Sequence, residues 1–334
     1  MIKDKKNDRR YIRRVHMKKK VIACSLALMV AAISVVGAGF IPKEAHGTND
    51  SVVTIEENQV PLVNSGAKVL KPEASGKVTY TGKDVVLDVS NVSQGYVMIK
   101  YSGKNPKIKV QIARAGGVIY TYNLNARDSY EVFPISEGDG AYGVKVFENV
   151  SGTSYSQVFA KNLDVKLDNK FLPFLYPNQY VNFTEQSAVV TKAAEVVKGA
   201  KNELEKVEKV YNFAVGTFTY DYDKAATVKS GYLPSVDNIL QSKIGICFDY
   251  AAVMASMLRS QNIPCKLVVG YTGDVYHAWI NVYTVDTGWI DGVIFFDGND
   301  WRMMDPTFAS TGNKSTDIQK YISNPANYKA KYVY

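Results

Sequence analysis

Hydrophobic and polar positions alternate with a period of two along the first half of the chain. The runs 83–89 and 95–101 show this pattern. Stretches rich in Gly, Asn, Ser and Pro, such as 102–106 and 137–140, separate the runs and predict turns. Alternation of this kind, with turns about every 8–12 residues, is typical of an antiparallel β-sandwich. We therefore predict an all-β sandwich accessory domain over residues 71–170.

After Pro177 the apolar positions recur three and four residues apart. This spacing predicts two helices in a hairpin, at 188–197 and 204–214. A short extended segment is expected at 218–222, followed by a turn-rich stretch around 231–234.

Residues 247–260 are apolar at most positions and predict a buried helix. Four apolar runs follow and predict strands, at 266–271, 278–283, 293–296 and 301–304. Helices followed by an antiparallel sheet indicate an α+β domain over residues 177–334.

The N-terminal segment has the pattern of an export signal. Lys18–Lys20 are positive, the apolar run 21–41 follows, and Ala45-His46-Gly47 offers small residues for cleavage. The alternative is an uncleaved N-terminal anchor, since the run approaches the roughly 20 residues that span a bilayer. We expect a signal peptide or anchor over 1–47, a flexible segment over 48–70, and a secreted or cell-surface protein.

This leader accounts for the basic character of the chain. The formal net charge is +8, but residues 1–47 hold eleven of the 40 Lys and Arg residues and three of the 32 Asp and Glu residues, which leaves 29 of each. A neutral remainder gives no sign of a nucleic-acid partner. A membrane partner is expected only if the N-terminal apolar segment is retained.

After residue 47 the chain keeps one histidine, His277, and two cysteines, Cys247 and Cys265. Two cysteines in an exported chain of this length argue against a disulfide scaffold. A bridge between them would consume the thiol of Cys247. Cys265 begins an apolar run and is predicted to be a core residue.

Cys247, His277 and Asp305 follow one another in the order of a thiol acyl-transfer triad. Cys247 opens the predicted helix, so the helix N-terminus would stabilise a thiolate there. Free backbone N–H groups at the same place would contribute to an oxyanion hole. His277 could take the thiol proton, and Asp305 could orient the imidazole.

Each of these residues also has a structural interpretation. Cys247 could be a buried thiol, His277 an ordinary strand residue, and the Asp305-Pro306-Thr307 sequence a turn. Asp291, Asp297 and Asp300 are rival candidates for the third triad position. Asp249 and Arg259 are interpreted as charges that favour the N- and C-terminal ends of the predicted helix, respectively.

The stretch 220–308 resembles the transglutaminase-like superfamily, close to its bacterial secreted members. The resemblance is carried by Gly245-Ile246-Cys247-Phe248-Asp249-Tyr250-Ala251, Leu258-Arg259-Ser260, Asn262-Ile263-Pro264, Gly270-Tyr271, His277-Ala278-Trp279 and Asp305-Pro306-Thr307. It implies the papain-like thiol fold, with Cys247 on a helix packed on an antiparallel sheet that bears His277 and Asp305. It also implies Tyr220 or Tyr222 as an upstream aromatic in the oxyanion hole. Gln241 is a further oxyanion candidate by analogy with papain-like sites.

The resemblance implies a thiol-dependent acyl-transfer enzyme with a Cys-His-Asp triad, but it does not settle the reaction. We expect hydrolysis of peptide or amide bonds, because water is abundant and transfer would need a protected amine site. The alternatives are a protein-glutamine cross-linking transferase and a non-catalytic surface binding or adhesion protein, because the superfamily contains several activities and inactive members. The expected substrate is a peptide or protein, cell-wall peptide included. Neither a calcium loop nor a zinc spacing is present in the sequence, and we expect no metal and no cofactor.

Overall fold

The structure is a computed structural model of the 334-residue chain and describes residues 69–291, 294–296, 301–303 and 328–334. The predicted leader at 1–47, nearly all of the segment 48–70, and Asp297, Asp300 and Asp305 lie outside the described residues. No helix within these ranges is long and apolar enough to cross a bilayer.

Eight strands, β1 to β8, form two four-stranded antiparallel sheets in the first half of the chain. Their orders are β1-β2-β3-β6 and β5-β4-β7-β8. The strands are Thr79–Gly82, Val85–Asp88, Tyr96–Tyr101, Ile108–Arg114, Ile119–Leu124, Tyr130–Pro134, Gly140–Ser151 and Ser154–Val165.

The two sheets share one hydrophobic core. Leu87 and Ile99 from the first sheet belong to the same buried cluster as Val110 and Val144 from the second. Complete burial of such a side chain contributes roughly 1.5–3 kcal/mol, which is why the period-two pattern fixes the inward face of each strand. This half of the chain confirms the all-β sandwich, while the boundaries 71 and 170 stay predictions.

Five helices follow, and the last is the most deeply buried. We number them α1 to α5: Ala188–Val196, Glu203–Thr217, Tyr222–Thr227, Val236–Ser242 and Cys247–Ser260. Every residue of α5 is buried, and α1, α2 and α4 pack around it. The helices predicted at 188–197, 204–214 and 247–260 are confirmed.

The C-terminal strands form a four-stranded antiparallel sheet of order β13-β12-β11-β16 on which α5 packs, together with two small two-stranded sheets. β9 and β10 pair in parallel, and β14 pairs with β15. Strands β9 to β16 are Thr219–Tyr220, Ile244–Gly245, Cys265–Thr272, Val275–Thr284, Gly288–Ile290, Ile294–Phe296, Trp301–Met303 and Tyr328–Val333. The four strands predicted after Cys247 are confirmed, and the mixed architecture confirms the α+β class.

The segment between α2 and α5 differs from the sequence prediction. Tyr222 begins α3 and does not continue the extended segment, because the side chain of Asp221 accepts a hydrogen bond from the Lys224 backbone N–H and starts a helix. α4 occupies Val236–Ser242, next to the stretch that was predicted to be rich in turns. Helices of six and seven residues are too short to show a clear helical period.

The segment joining the sandwich to α1 is packed against both halves of the chain. The Phe171 ring centroid lies 4.1 Å from that of Tyr283 in β12. Gly95 has a φ of +87°, and a Cβ built on it would lie 2.5 Å from the Pro173 side chain. Glycine is therefore required at position 95 both by its backbone conformation and by the close approach of the joining segment.

Candidate active site

Cys247 is the first residue of α5, and the backbone before it adopts an extended conformation at Ile246. The carboxylate of Asp249 accepts a hydrogen bond of 2.9 Å from the Ile246 backbone N–H. A Cβ added to Gly245 would lie 2.7 Å from the Cβ of Asp249, so the chain enters the helix through a space that only glycine fits. The helix start is thus fixed by Asp249, as the sequence indicated. The backbone N–H groups of Asp249 and Tyr250 donate to the Ile246 carbonyl oxygen, whereas the N–H groups of Cys247 and Phe248 precede any helical acceptor.

His277 lies on β12, which packs against α5. Cys247 and His277 are almost fully buried, with exposed fractions of 3% and 4%. His277 pairs with Gly270 of β11, and its ring stacks on Trp279 with 6.3 Å between centroids. Only glycine fits at position 270, since an added Cβ would lie 2.0 Å from the Lys329 carbonyl oxygen.

Tyr276 precedes His277 on β12 and lies near Cys247. The pKa of Tyr276 is raised first by burial and then by charges on neighbouring groups, which include Cys247. Cys247 therefore lies within electrostatic range of the residue that precedes His277. The structure brings the nucleophile candidate to the strand that carries the histidine.

A buried ion pair lies under the first turn of α5. The Asp249 carboxylate is fully buried and accepts from the Lys224 ammonium at 2.5 Å and from the Tyr232 hydroxyl at 2.6 Å. Burial and the hydrogen bond to Asp249 raise the pKa of Tyr232. Lys224 and Tyr232 were not identified from the sequence, because neither has a motif or a helical spacing to Cys247.

The other predicted residues occupy different places. Tyr220 of β9 pairs with Gly245 of β10, and Gly245 lies two residues before Cys247. The centroid of the Tyr220 ring lies 5.0 Å from that of the Tyr222 ring. Gln241 is exposed on α4. Asp291 accepts a hydrogen bond from the Asn281 side chain. Asp297, Asp300 and Asp305 lie outside the described residues.

An aromatic cluster connects the sandwich with the candidate site. Tyr122 of β5 stacks on Tyr180 at 5.9 Å, and Tyr180 lies 5.5 Å from Phe248, the neighbour of Cys247. Tyr334 contacts both Tyr122 and Tyr180. Phe248, the residue after Cys247, therefore packs on Tyr180, which in turn contacts the sandwich.

Both described cysteines are free thiols. Cys265 is fully buried at the start of β11, and burial raises the pKa of its thiol to about 12. A thiol with this pKa stays protonated and unreactive at neutral pH. The structure agrees with the core role predicted for Cys265.

Arg259 has a role that differs from the sequence interpretation. Its guanidinium donates to the backbone carbonyl oxygens of Cys265, Tyr176 and Tyr334, which belong to three separate segments. The side chain is thus a buried clamp between segments and does more than place a cation at the end of α5. Only the tertiary structure brings these three carbonyls to one point.

The described part of the chain contains no group of three or more His, Cys, Asp or Glu side chains arranged to hold a metal ion.

Residues 190–292 match the family model of the transglutaminase-like superfamily. This segment is a transglutaminase-like domain. It contains α2 to α5, β11, β12 and β13, so the family match spans both the Cys247 helix and the His277 strand. The recognition made from the sequence motifs is confirmed.

Similar proteins occur in bacteria and archaea. The chain is 26% identical over 186 residues to the protein YebA of Bacillus subtilis, covering 48% of this chain and 25% of YebA. It is 24% identical over 213 residues to the UPF0252 protein MJ1282 of Methanocaldococcus jannaschii, covering 59% of each. The chain thus spans about a quarter and about three fifths of these two relatives.

Among solved structures, the chain is similar to a candidate cysteine protease from Cytophaga hutchinsonii. The two are 14% identical with a TM-score of 0.36, over 72% of this chain and 83% of that protein.

Proposed function

We propose that this chain is a secreted or cell-surface, thiol-dependent acyl-transfer enzyme that hydrolyses peptide or amide bonds. In this proposal Cys247 is the nucleophile, His277 is the general base and then the acid, and Asp305 orients His277. The observation that carries the proposal is that a buried cysteine begins α5 while a buried histidine lies on β12, the strand packed against that helix.

The proposed reaction has two halves. The Cys247 thiol gives its proton to His277, and the thiolate attacks the carbonyl carbon of the substrate amide. Backbone N–H groups in the first turn of α5 stabilise the oxyanion, and Tyr220 is the side-chain candidate for the same task. His277 protonates the leaving amine, which leaves a thioester on Cys247. Water, deprotonated by His277, then hydrolyses the thioester and restores the thiol.

Water is the proposed acceptor because it is abundant, whereas transfer to an amine needs a site that protects the thioester from water. The proposed substrate is a peptide or protein, cell-wall peptide included. The proposed location outside the cell is supported by the export-signal pattern of residues 1–47.

The central test is alkylation with iodoacetamide over a range of pH, with the modified cysteine identified by mass spectrometry. Cys247 should react well below the pH at which an ordinary thiol does, and the Cys247→Ala variant should lose this labelling. Cys265 is the internal control, because burial raises the pKa of its thiol to about 12 and keeps it protonated over the range of pH tested. His277→Ala should return Cys247 to ordinary thiol behaviour, since the imidazolium that favours the thiolate is gone.

Equal labelling of Cys247 and Cys265 in the native protein, unaffected by His277→Ala, would contradict an activated thiol. The chain would then be better described as a surface binding or adhesion protein. If Cys247 is activated, incubation with peptide amides and a fluorescent primary amine separates the two reactions. Free acid products support hydrolysis, whereas incorporation of the amine in preference to water would make the chain a transferase.

A further inference from the structure

The buried carboxylate of Asp249 lies two residues after Cys247 in the first turn of α5. It accepts hydrogen bonds from the Ile246 backbone N–H, the Tyr232 hydroxyl and the Lys224 ammonium. The Asp249 side chain is 0% exposed and that of Lys224 is 27% exposed. A carboxylate buried to this extent is stable in its charged form only when it is paired and hydrogen-bonded.

A bare carboxylate at this position would work against a thiolate on Cys247. Negative charges close together disfavour each other, so an uncompensated Asp249 would work against the charged form of Cys247. The ammonium of Lys224 cancels that charge and leaves the helix N-terminus free to stabilise the thiolate.

We propose that Lys224 is a positioning residue of the Cys247 site, which acts through Asp249. Lys224 compensates the charge of the Asp249 carboxylate in the first turn of α5, and together with Tyr232 it holds that carboxylate, which fixes the start of the helix that Cys247 begins. This inference rests on the proposed role of Cys247 as the nucleophile.

The groups around the pair are consistent with this role. Asp221 accepts from the Lys224 backbone N–H at 2.9 Å and so anchors the lysine at the start of α3. The raised pKa of Tyr232 keeps its hydroxyl protonated, so it acts as a donor to Asp249. On β12, the titratable Tyr276 lies within electrostatic range of Cys247.

The test is the pH profile of Cys247 alkylation in the full chain, with folding checked by circular dichroism. Lys224→Met should raise the midpoint of the profile by about one pH unit, since it leaves the Asp249 carboxylate without its cation two residues from the Cys247 thiol. Below the midpoint, the alkylation rate should fall about tenfold. The double variant Lys224→Met, Asp249→Asn removes both charges and keeps an acceptor for the Ile246 N–H, so the midpoint should return towards that of the unaltered protein.

A matched control is available in the sandwich. Glu148 accepts from the Lys83 ammonium at 3.0 Å and from the Tyr101 hydroxyl at 2.6 Å, which is the same set of three groups. Lys83→Met removes the lysine from the Glu148 carboxylate, which lies in the sandwich and not in α5. The midpoint of Cys247 alkylation should therefore not change.

An unchanged midpoint in a folded Lys224→Met variant, with Cys247 activated in the unaltered protein, overturns the inference and leaves the proposed function intact. If Cys247 is not activated in the unaltered protein, the proposed function itself fails. If Lys224→Met does not fold, Tyr232→Phe decides, because it removes another donor to Asp249. A rise in the midpoint of Cys247 alkylation smaller than the one expected for Lys224→Met supports the inference, and an unchanged midpoint overturns it.

Discussion

Arg259 is 1% exposed, yet within the described residues its hydrogen-bond acceptors are backbone oxygens and not carboxylate side chains. Its planar guanidinium donates to carbonyl oxygens of three segments at 2.6–2.9 Å. Burial lowers the pKa of Arg259 to about 10, so the side chain stays protonated at neutral pH. A fork of donors in one plane can bind carbonyls that lie in several directions, whereas a single ammonium cannot reach all of them.

We therefore expect Arg259→Lys to lower the free energy of unfolding by about 3 kcal/mol, because at least one buried carbonyl loses its donor and the packing of the guanidinium is lost. Urea unfolding followed by circular dichroism measures this change. The control is Arg114→Lys: Arg114 is exposed and donates to the Asp139 carbonyl oxygen, so its replacement should cost less than about 0.5 kcal/mol. Equal effects at the two positions would show that the clamp contributes no more than a surface arginine.

At the scale of elements, α2 illustrates how a helix start is set locally. Asn202 is extended, and its side chain accepts a hydrogen bond of 2.8 Å from the Glu205 backbone N–H. Glu205 in turn accepts from the Lys201 backbone N–H. These bonds satisfy N–H groups at the helix N-terminus that no helical carbonyl can reach.

Asn202→Ala should lower the free energy of unfolding by about 1 kcal/mol, because the cap is lost. Asn202→Asp should keep the cap and leave stability unchanged or slightly higher, since a carboxylate also favours the helix N-terminus. Thermal or urea unfolding of the two variants gives the comparison. A loss of the same size in Asn202→Asp would mean that the amide group of Asn202, and not its oxygen, is what α2 requires.

At the scale of the whole molecule, the segment 168–177 joins the sandwich to the transglutaminase-like domain without forming a free linker. Phe171, Leu172, Phe174 and Leu175 are buried. The Phe171 and Phe174 rings lie 6.0 and 5.5 Å from that of Trp289. Cleavage requires a segment to leave its packing and enter a protease site, so burial on this scale should protect the chain.

Limited digestion with chymotrypsin should therefore leave the bonds after Phe171 and Phe174 intact in the native protein. Mass spectrometry of the fragments gives the positions of the cuts. Gly95→Ala supplies the positive control: an added Cβ would overlap Pro173, and the backbone at position 95 has a positive φ, so the variant should become cleavable within 168–177. Rapid cutting there in the unaltered protein would show that the two halves of the chain are loosely joined.

The amino-acid sequence by itself determined the β-rich first half, the α+β second half and the helix Cys247–Ser260. These follow from hydrophobic periodicity, which is a local property of the chain. The candidates Cys247 and His277 were also accessible, because after residue 47 the chain has one histidine and two cysteines, of which only Cys247 opens a helix.

The tertiary structure alone decided which residues distant in sequence come into contact. Lys224 meets Asp249 across 25 residues, and Arg259 meets Tyr176 and Tyr334 across 83 and 75. β16 joins β11 at the edge of the sheet, a pairing for which the short run 328–333 carries no local signal. Such contacts depend on how elements pack after they form, and the physical reason that the sequence did not reveal them is that no periodicity or motif records a partner so far along the chain.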